Sequence, residues 1–402
     1  MKLIDAFNPW LTELTEIRHS IHAWPELGFQ ENRTADTVAK QLGDWGIETH
    51  RGLGITGVVG TIAGNASGGA IGLRADMDAL PMTEANTFTH ASHNAGAMHA
   101  CGHDGHTTML LAAARYLAQN RDFPGTVYVI FQPAEEGQGG AREMIQDGLF
   151  KRFPMQAVFG MHNWPGMPAG SFGLTAGPIM ASSSTFEVVI EGRGAHAAMP
   201  HLGVDPVMTA VQLAQGYQTI LSREKDPLDP AVISVTQIHT GSADNVIPGH
   251  ATMRGTVRTL STGTLDLIES RMREITTHIG QAQRCTTRFN FDRRYPVTVN
   301  HARETELCAA VMRDLVGADR VDEHVRPSMG AEDFAFMLNE LPGCYVWIGN
   351  GEGTHRMAGH GSGPCSLHND SYDFNDALIP LGAAYWVALA RRWLDTAHPQ
   401  PS

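Results

Sequence analysis

The sequence predicts an α/β protein, in which a mostly parallel sheet flanked by helices is interrupted by a smaller α+β insertion. Three observations support this fold class. Short apolar runs alternate with helical patterns over residues 1–183, a strand–helix–strand–strand–helix–strand order fills residues 184–294, and another apolar strand lies in 344–349. A chain of 402 residues also exceeds one ordinary core, which favours two domains.

The first region contains the elements of the parallel sheet. Apolar periodicity predicts helices over residues 11–22 and 33–45, and the second ends before Gly46. Short apolar runs predict strands at 70–74, 127–131 and 157–161, with a long helical pattern at 106–117 between the first two. Strands that alternate with helices in this way pair in parallel.

The middle of the chain has a different pattern. We expect strands at 185–192, 231–239, 251–260 and 285–291, and helices at 205–222 and 265–279. This βαββαβ order is the split-βαβ, or ferredoxin-like, arrangement, which can be inserted into a larger domain. The predicted domains are therefore 1–183 and 295–402, as the two halves of a catalytic domain, and 184–294 as the insert.

Composition excludes several classes of partner. The formal net charge is −13 and no basic run or basic patch is present, so we expect neither nucleic acid nor membrane as a partner. No leader pattern and no long apolar stretch occurs. Five scattered cysteines do not form a disulfide framework, and together these features predict a cytoplasmic protein.

The segment 99–106, HACGHDGH, combines three histidines, a cysteine and an aspartate. Imidazole and thiolate are ligands for zinc, manganese, cobalt or nickel, and the two glycines let neighbouring side chains converge. The alternative is a polar helix start with surface histidines. The metal hypothesis gains weight because further polar residues follow the predicted strands and should meet at one sheet edge: Asp76, Asp78, Glu135, Glu136, His162 and Asn163.

Seven motifs carry a resemblance to a known family. They are RADMDALP (74–81), MHACGHDGH (98–106), FQPAEEG (131–137), GMHNWP (160–165), GAHAAMPHLGVDP (194–206), DNVIP (244–248) and GAEDFAFM (330–337). In this order they resemble the metal-dependent amidohydrolases that include hippurate hydrolases, aminoacylases and indole-acetyl-amino-acid hydrolases. The resemblance spans nearly the whole chain and implies two domains, the smaller serving as a lid and as the surface of a homodimer or homotetramer.

The resemblance also implies a metal site. Its ligands would hold two divalent ions, zinc, manganese, cobalt or nickel, with the cysteine shared: Cys101, His103, Glu136, His162 and His368. Adjacent carboxylates after a strand point in different directions, so Glu136 can bind metal while Glu135 acts as the general base that the family pattern assigns. Asp76, Asp78 and Asp104 are candidates to orient ligand imidazoles. Cys365 lies outside the family motif, although its spacing from His368 would allow it to compete as a ligand.

Substrate contacts are assigned to the insert by the same resemblance. His196, Asn245 and Arg258 match the lid motifs and could bind the free carboxylate beside a scissile amide. The resemblance extends His196 to the site of a partner subunit, and His201 lies nearby. The structural alternatives are a turn former for Asn245 and an exposed strand residue for Arg258.

These expectations converge on one function, which is metal-dependent hydrolysis of N-acyl amino acids with acetyl, benzoyl or indole-acetyl acyl groups. A metallo-dipeptidase or carboxypeptidase is the nearest alternative, because the same chemistry cleaves a peptide amide. A cysteine-nucleophile amidase with Cys101 and either His103 or His106 is a second. A non-catalytic ligand-binding protein is a third.

Overall fold

The computed structural model describes residues 2–356 and 358–397, which form two compact units. The larger unit comprises Met1–Gly177, Val299–Arg326 and Asp333–Ser402, and the smaller comprises Pro178–Thr298 and Pro327–Glu332. The predicted insert, 184–294, lies inside the smaller unit, whose bounds are wider at both ends.

Ten α-helices occur in the described residues. They are α1 (Leu11–Ala23), α2 (Asn32–Asp44), α3 (His103–Gln119), α4 (Gly140–Gln146), α5 (Leu149–Arg152), α6 (Pro206–Thr219), α7 (Thr262–Ala282), α8 (Ala302–Val316), α9 (Ala335–Glu340) and α10 (Ile379–Ala397). None of these helices is long and apolar enough to cross a membrane.

Sixteen strands occur in the same residues. They are β1 (Glu48–Leu53), β2 (Gly57–Ala63), β3 (Ala66–Asp76), β4 (Pro124–Gln132), β5 (Ala157–Pro165), β6 (Phe172–Gly173), β7 (Gly177–Met180), β8 (Ser183–Glu191), β9 (Ala195–His196), β10 (Ala231–Thr240), β11 (Val246–Ile247), β12 (His250–Thr259), β13 (Thr286–Tyr295), β14 (Thr298–Asn300), β15 (Val321–Asp322) and β16 (Gly343–Gly351).

Eight strands build the central sheet of the larger unit, in the order β1-β2-β4-β3-β5-β16-β6-β15. The four central strands, β4, β3, β5 and β16, are parallel to one another, and antiparallel strands β1 and β2 extend one edge. The central strands are almost continuously buried, as expected for a sheet with both faces covered. Their carboxyl ends therefore meet at one edge, which confirms the predicted parallel core.

Helix α3 begins at this edge, and its residues 103–114 are all buried. It begins directly after Gly102, whose φ of +91° lies in the left-handed region. A Cβ at Gly102 would lie 2.2 Å from Asn163 Nδ2, so both the backbone angle and the available space require glycine. Gly105 is required by space alone, because a Cβ there would lie 2.4 Å from the ring of Phe374. Of the two glycines expected to let neighbouring side chains converge, Gly102 has a left-handed backbone angle, whereas Gly105 is helical.

The smaller unit has the predicted βαββαβ order. Its antiparallel sheet runs β10-β12-β8-β13, so β12 lies between the strands joined by α6, and β8 lies between those joined by α7. Helix α6 begins at Pro206, and the Asp205 side chain accepts hydrogen bonds from the backbone N–H groups of Val207 and Met208. The two helices pack on one face of the sheet and leave the other face polar.

Candidate metal centre

Cys101 lies at the centre of a cluster of side chains from four chain segments. Its Sγ atom lies 3.3 Å from His162 Nε2 and 3.4 Å from His368 Nε2. Cys101 precedes α3, His162 lies on β5, and His368 lies on the segment between β16 and α10. Helix α3 connects two parallel strands and begins at the edge where β5 ends, which brings the first two together. The backbone N–H of His368 donates to Ala100 O at 2.8 Å.

Two three-residue groups of possible ligands share this cysteine. Cys101, His103 and His162 form one, and Cys101, Glu136 and His368 form the other, with ligand atoms within 4.8 Å of one another in each group. All five predicted ligands therefore converge. Thiolate, imidazole and carboxylate together suit divalent transition ions, and a shared thiolate suits a pair of them.

The two carboxylates after β4 have different neighbours. The backbone N–H of Glu136 donates to Asp78 Oδ2 at 2.9 Å, and its Oε1 atom lies 3.3 Å from His368 Nε2. Glu135 is buried and lies with Glu136 and His103 in a third group of possible metal-ligand atoms. Ala134, just before this pair, has a φ of +53°, an unfavourable angle for a residue with a Cβ. Such strain is typical of functional segments.

Backbone carbonyls orient two of the imidazoles. The Nδ1–H of His162 donates to Asn163 O at 2.6 Å, and the Nδ1–H of His103 donates to Asp78 O at 2.9 Å. Each hydrogen bond leaves Nε2 of the ring with its lone pair free for a cation.

The three aspartates proposed to orient ligands have different partners. Asp78 lies beside the His103 imidazole, as proposed, and it also accepts a hydrogen bond from the backbone N–H of Glu136. Asp76 accepts from His106 Nδ1 at 2.6 Å, and its other oxygen pairs with buried Arg74 at 2.7 Å and lies 3.8 Å from His103 Nε2. Asp104 instead contacts His22 at 2.8 Å and Arg18 at 3.5 Å, both on α1.

His106 is close to His103 and Asp76, but its ring is already occupied. Its Nδ1–H donates to Asp76, and its Nε2 accepts from the backbone N–H of Asn163 at 2.9 Å. His99 is fully buried, and burial lowers its pKa to about 4. Of the three histidines in the motif, only His103 belongs to a group with Cys101.

Electrostatics argue against the cysteine-nucleophile alternative. Burial raises the pKa of the Cys101 thiol well above its usual range, and the charges of Glu136 and Glu135 raise it further. A nucleophilic cysteine requires the opposite shift. The thiolate is therefore stable here only beside a cation. Cys365 belongs to none of the ligand groups in the described residues, since its thiol donates to Asp373 O at 3.4 Å.

Sequence reasoning missed a buried charge network behind the centre. Arg18 on α1 is fully buried, and its guanidinium pairs with Asp376 at 2.7 Å, Asp373 at 3.0 Å and Asp104 at 3.5 Å. These partners lie next to the candidate ligand His103 and shortly after the candidate ligand His368. Arg18 thus ties the two ligand segments to α1. The available signal was an arginine and a histidine four residues apart, Arg18 and His22, on one face of a predicted helix.

We expect Arg18→Met to destabilise the protein by about 3–5 kcal/mol, because it leaves buried carboxylates without their cation. Chemical denaturation of the purified variant measures this change. Arg51→Met is the matched control, since Arg51 pairs with Asp36 on the exposed surface and its loss should cost less than about 1 kcal/mol. Equal losses of unfolding free energy in the two variants would contradict a stabilising role for the Arg18 network.

His22 makes stability depend on pH. Burial lowers its pKa, but hydrogen bonds to Asp104 and Glu84 outweigh burial and raise it to about 9. Since this exceeds the unfolded value of 6.5, the stabilisation is complete below pH 6.5 and is lost as pH rises through 9. We expect the free energy of unfolding to fall between pH 6.5 and about 9. In the His22→Gln variant, the free energy of unfolding should fall less over the same interval. Denaturation at both ends of the interval tests this, and unchanged pH dependence in the variant would contradict it. His239→Gln, on an exposed part of β10, is the control.

The predicted substrate contacts lie in the smaller unit at two separate places. His196 on β9 pairs with Val246 on β11, and the backbone N–H of Ala197 donates to Asn245 O at 2.9 Å, so His196 and Asn245 are neighbours. Arg258 lies near the far end of β12, on the polar face, where burial and the charge of Arg294 lower its pKa. His201 lies in a short helical turn, Pro200–Leu202, after His196.

A parallel-sheet edge that gathers a thiolate, imidazoles and a carboxylate pair defines the class of α/β metallohydrolases. Comparison with known proteins gives the same class. The model of peptidase family M20/M25/M40 matches residues 72–392. The chain is 40% identical to a hippurate hydrolase of Campylobacter jejuni, over 98% of this chain and 100% of that protein. It is 41% identical to thermostable carboxypeptidase 2 of Saccharolobus solfataricus, over 94% of each chain.

A solved structure agrees with these relatives. A dinuclear metal-binding peptidase of family M20 from Bacillus subtilis superposes with a TM-score of 0.83 at 32% identity, over 97% of this chain and 99% of that one. The chain belongs to peptidase family M20/M25/M40, and it is a metal-dependent hydrolase that acts on amides.

Proposed function

We propose that the chain hydrolyses the amide bond of N-acyl amino acids, with acetyl, benzoyl or indole-acetyl acyl groups, at a site for two divalent cations. One observation carries this proposal. Two groups of three ligand atoms share Cys101, and the carboxylate of Glu135 lies beside one member of each group, His103 and Glu136. That arrangement supports a base that acts beside paired cation sites.

The donor set fits two cations. Nε2 of His103 is buried and makes no hydrogen bond among the described residues, while Nδ1 of the same ring is held by Asp78. A buried polar atom without a partner is costly, so a bound cation would remove that cost. Cys101, His103 and His162 would hold one ion, and Cys101, Glu136 and His368 the other. Zinc, manganese, cobalt and nickel all suit these ligands.

The chain's own residues move the proton. When bound, the cations supply Lewis acidity to the amide carbonyl and to water. Glu135 accepts a proton from the attacking water and then transfers it to the nitrogen of the leaving amine. Burial of Glu135 excludes bulk water from this transfer. Asp78 positions both His103 and Glu136 during the reaction.

Substrate binding in this proposal uses two subunits of a homo-oligomer formed through the smaller unit. His196 and Asn245 lie near the His250 end of β12, and Arg258 lies eight residues further along this strand. At about 3.3 Å per residue, Arg258 lies roughly 26 Å along the strand from His250, which exceeds the length of an N-acyl amino acid. One subunit would therefore supply Arg258 to a site, and its partner would supply His196 and Asn245.

The five cysteines fit a cytoplasmic location, which we include in the proposal. All of them are free, and a thiolate ligand is preserved best in a reducing compartment. Neither nucleic acid nor membrane is a partner in this proposal.

A carboxypeptidase is the second candidate, because a relative of 41% identity carries that name. The test is a panel of N-acetyl, N-benzoyl and indole-acetyl amino acids and dipeptides, assayed with protein loaded with each of the four metals. We expect cleavage of the acyl conjugates with higher kcat/KM than that of dipeptides. Cleavage of dipeptides alone would favour the peptidase, and metal binding without any turnover would favour a non-catalytic ligand-binding protein.

A further inference from the structure

A pair of stacked indoles lies beside the ligand His162. Trp164 follows His162 by two residues on β5, and Trp347 on β16 is the register partner of His162. Side chains two residues apart on a strand, and those of register partners, share one sheet face. The indole centroids lie 3.9 Å apart with an interplanar angle of 15°, and the Trp164 ring lies 6.2 Å from the His162 ring.

These indoles form part of the wall of a cavity of about 360 Å³ in the larger unit. The rest of its apolar lining comes from Met167, Pro168, Phe172, Val321 and Val325. For comparison, a dry cavity of about 150 Å³ lined by apolar side chains accepts benzene. The cavity therefore has the volume and the apolar, flat wall that a planar aromatic ring needs.

The cavity wall also contains a buried hydrogen-bond donor. Trp347 is 3% exposed, and its Nε1–H has no hydrogen-bond partner among the described residues. A buried donor without an acceptor is unfavourable, so a ligand that brings an acceptor would be favoured there. The rim is polar and carries charges of both signs, including Arg320, Arg326 and Asp322.

We propose that this aromatic subsite, formed by Trp164, Met167, Phe172, Val325 and Trp347, binds a planar aromatic group of the substrate. The inference rests on the proposed function and narrows its substrate class to amides with an aromatic group near the scissile bond. The ring can belong to the acyl group or to the amino acid, and the chemistry of recognition is the same for both.

Three substrates test the subsite: N-benzoylalanine, N-acetylphenylalanine and N-acetylalanine. We expect the metal-loaded protein to favour one aromatic substrate over N-acetylalanine by about tenfold or more in kcat/KM, which corresponds to stacking and burial of one ring. The substrate that is favoured identifies the source of the ring. Trp164→Leu should reduce this ratio about tenfold.

Two further variants complete the design. Met167→Trp fills the cavity and should lower the ratio as Trp164→Leu does, which gives an independent result if the first variant folds poorly. Trp393→Leu is the control, because Trp393 lines a second cavity of about 360 Å³ beside Gly69, at the amino end of β3, and its loss should leave the ratio unchanged.

The outcomes separate the two proposals. Turnover of N-acetylalanine without preference for either aromatic substrate, or an unchanged ratio in both subsite variants, would overturn the subsite alone. Failure to hydrolyse any of the three substrates would overturn the proposed function, and the subsite with it.

Discussion

Glu135→Gln is expected to lower kcat by about 10²- to 10⁴-fold, because glutamine keeps the shape of the side chain but cannot accept a proton. The substitution leaves all five candidate ligands in place, so the metal content should not change. Steady-state kinetics on an N-acyl amino acid, with metal analysis of the same sample, measure both quantities.

Two controls define the expected role of Glu135. Glu136→Gln alters a candidate ligand and should lower the metal content, whereas Glu143→Gln, on α4, should change neither quantity. A Glu135→Gln enzyme that keeps kcat within tenfold of the native value would contradict the assignment of Glu135 as general base.

Cys101→Ala is expected to remove most of the affinity for both cations and, with it, the activity. The reason is geometric, since the two candidate ligand groups share Cys101. One group contains it with His162, and the other contains it with His368. Metal analysis after dialysis against metal-free buffer gives the number of ions that each chain retains.

Cys365→Ser is the matched control for this prediction. Cys365 is also buried and lies near His368 in sequence, but its thiol contacts Asp373. It should retain the native metal content. An inactive Cys101→Ala protein that still binds both ions firmly would contradict a ligand role and would favour the cysteine-nucleophile alternative.

The parallel core could be predicted because it depends on local patterns. Continuous apolar runs marked β3, β4 and β5, and the polar residues directly after them had to meet at one sheet edge. The convergence of Glu136 and His162 follows from this, and Cys101 joins them because it lies just before α3, which begins at the same edge. The position of His368 does not, because it lies on a long irregular segment, has a φ of +60° and is held by a backbone contact to Ala100.

The Arg18 network could not be predicted, since it depends on contacts between residues 86, 355 and 358 positions apart in the chain. Periodicity reports that a helix has a buried face but does not identify the partners of a buried charge. The same limit applied to Asp76, Asp78 and Asp104, whose roles depend on the direction of each side chain. Strands β1 and β2 form an antiparallel edge that the alternating pattern did not predict.

The arrangement of the candidate substrate contacts is a further feature that the sequence could not predict. Sequence motifs placed His196, Asn245 and Arg258 in one domain, but only the register of β12 with its neighbours separates them into two places.

Size-exclusion chromatography with light scattering should therefore show an oligomer, and mixing inactive Arg258→Ala and His196→Ala subunits should restore activity in part.

The central claim is that activity requires two cations held by one shared thiolate. The most direct measurement is a titration of metal-stripped protein with zinc, manganese, cobalt or nickel, with bound ions and hydrolysis of an N-acyl amino acid recorded at each step. We predict that activity is absent in the stripped protein and reaches its maximum as bound metal approaches two ions per chain. Full activity in the stripped protein would contradict the claim.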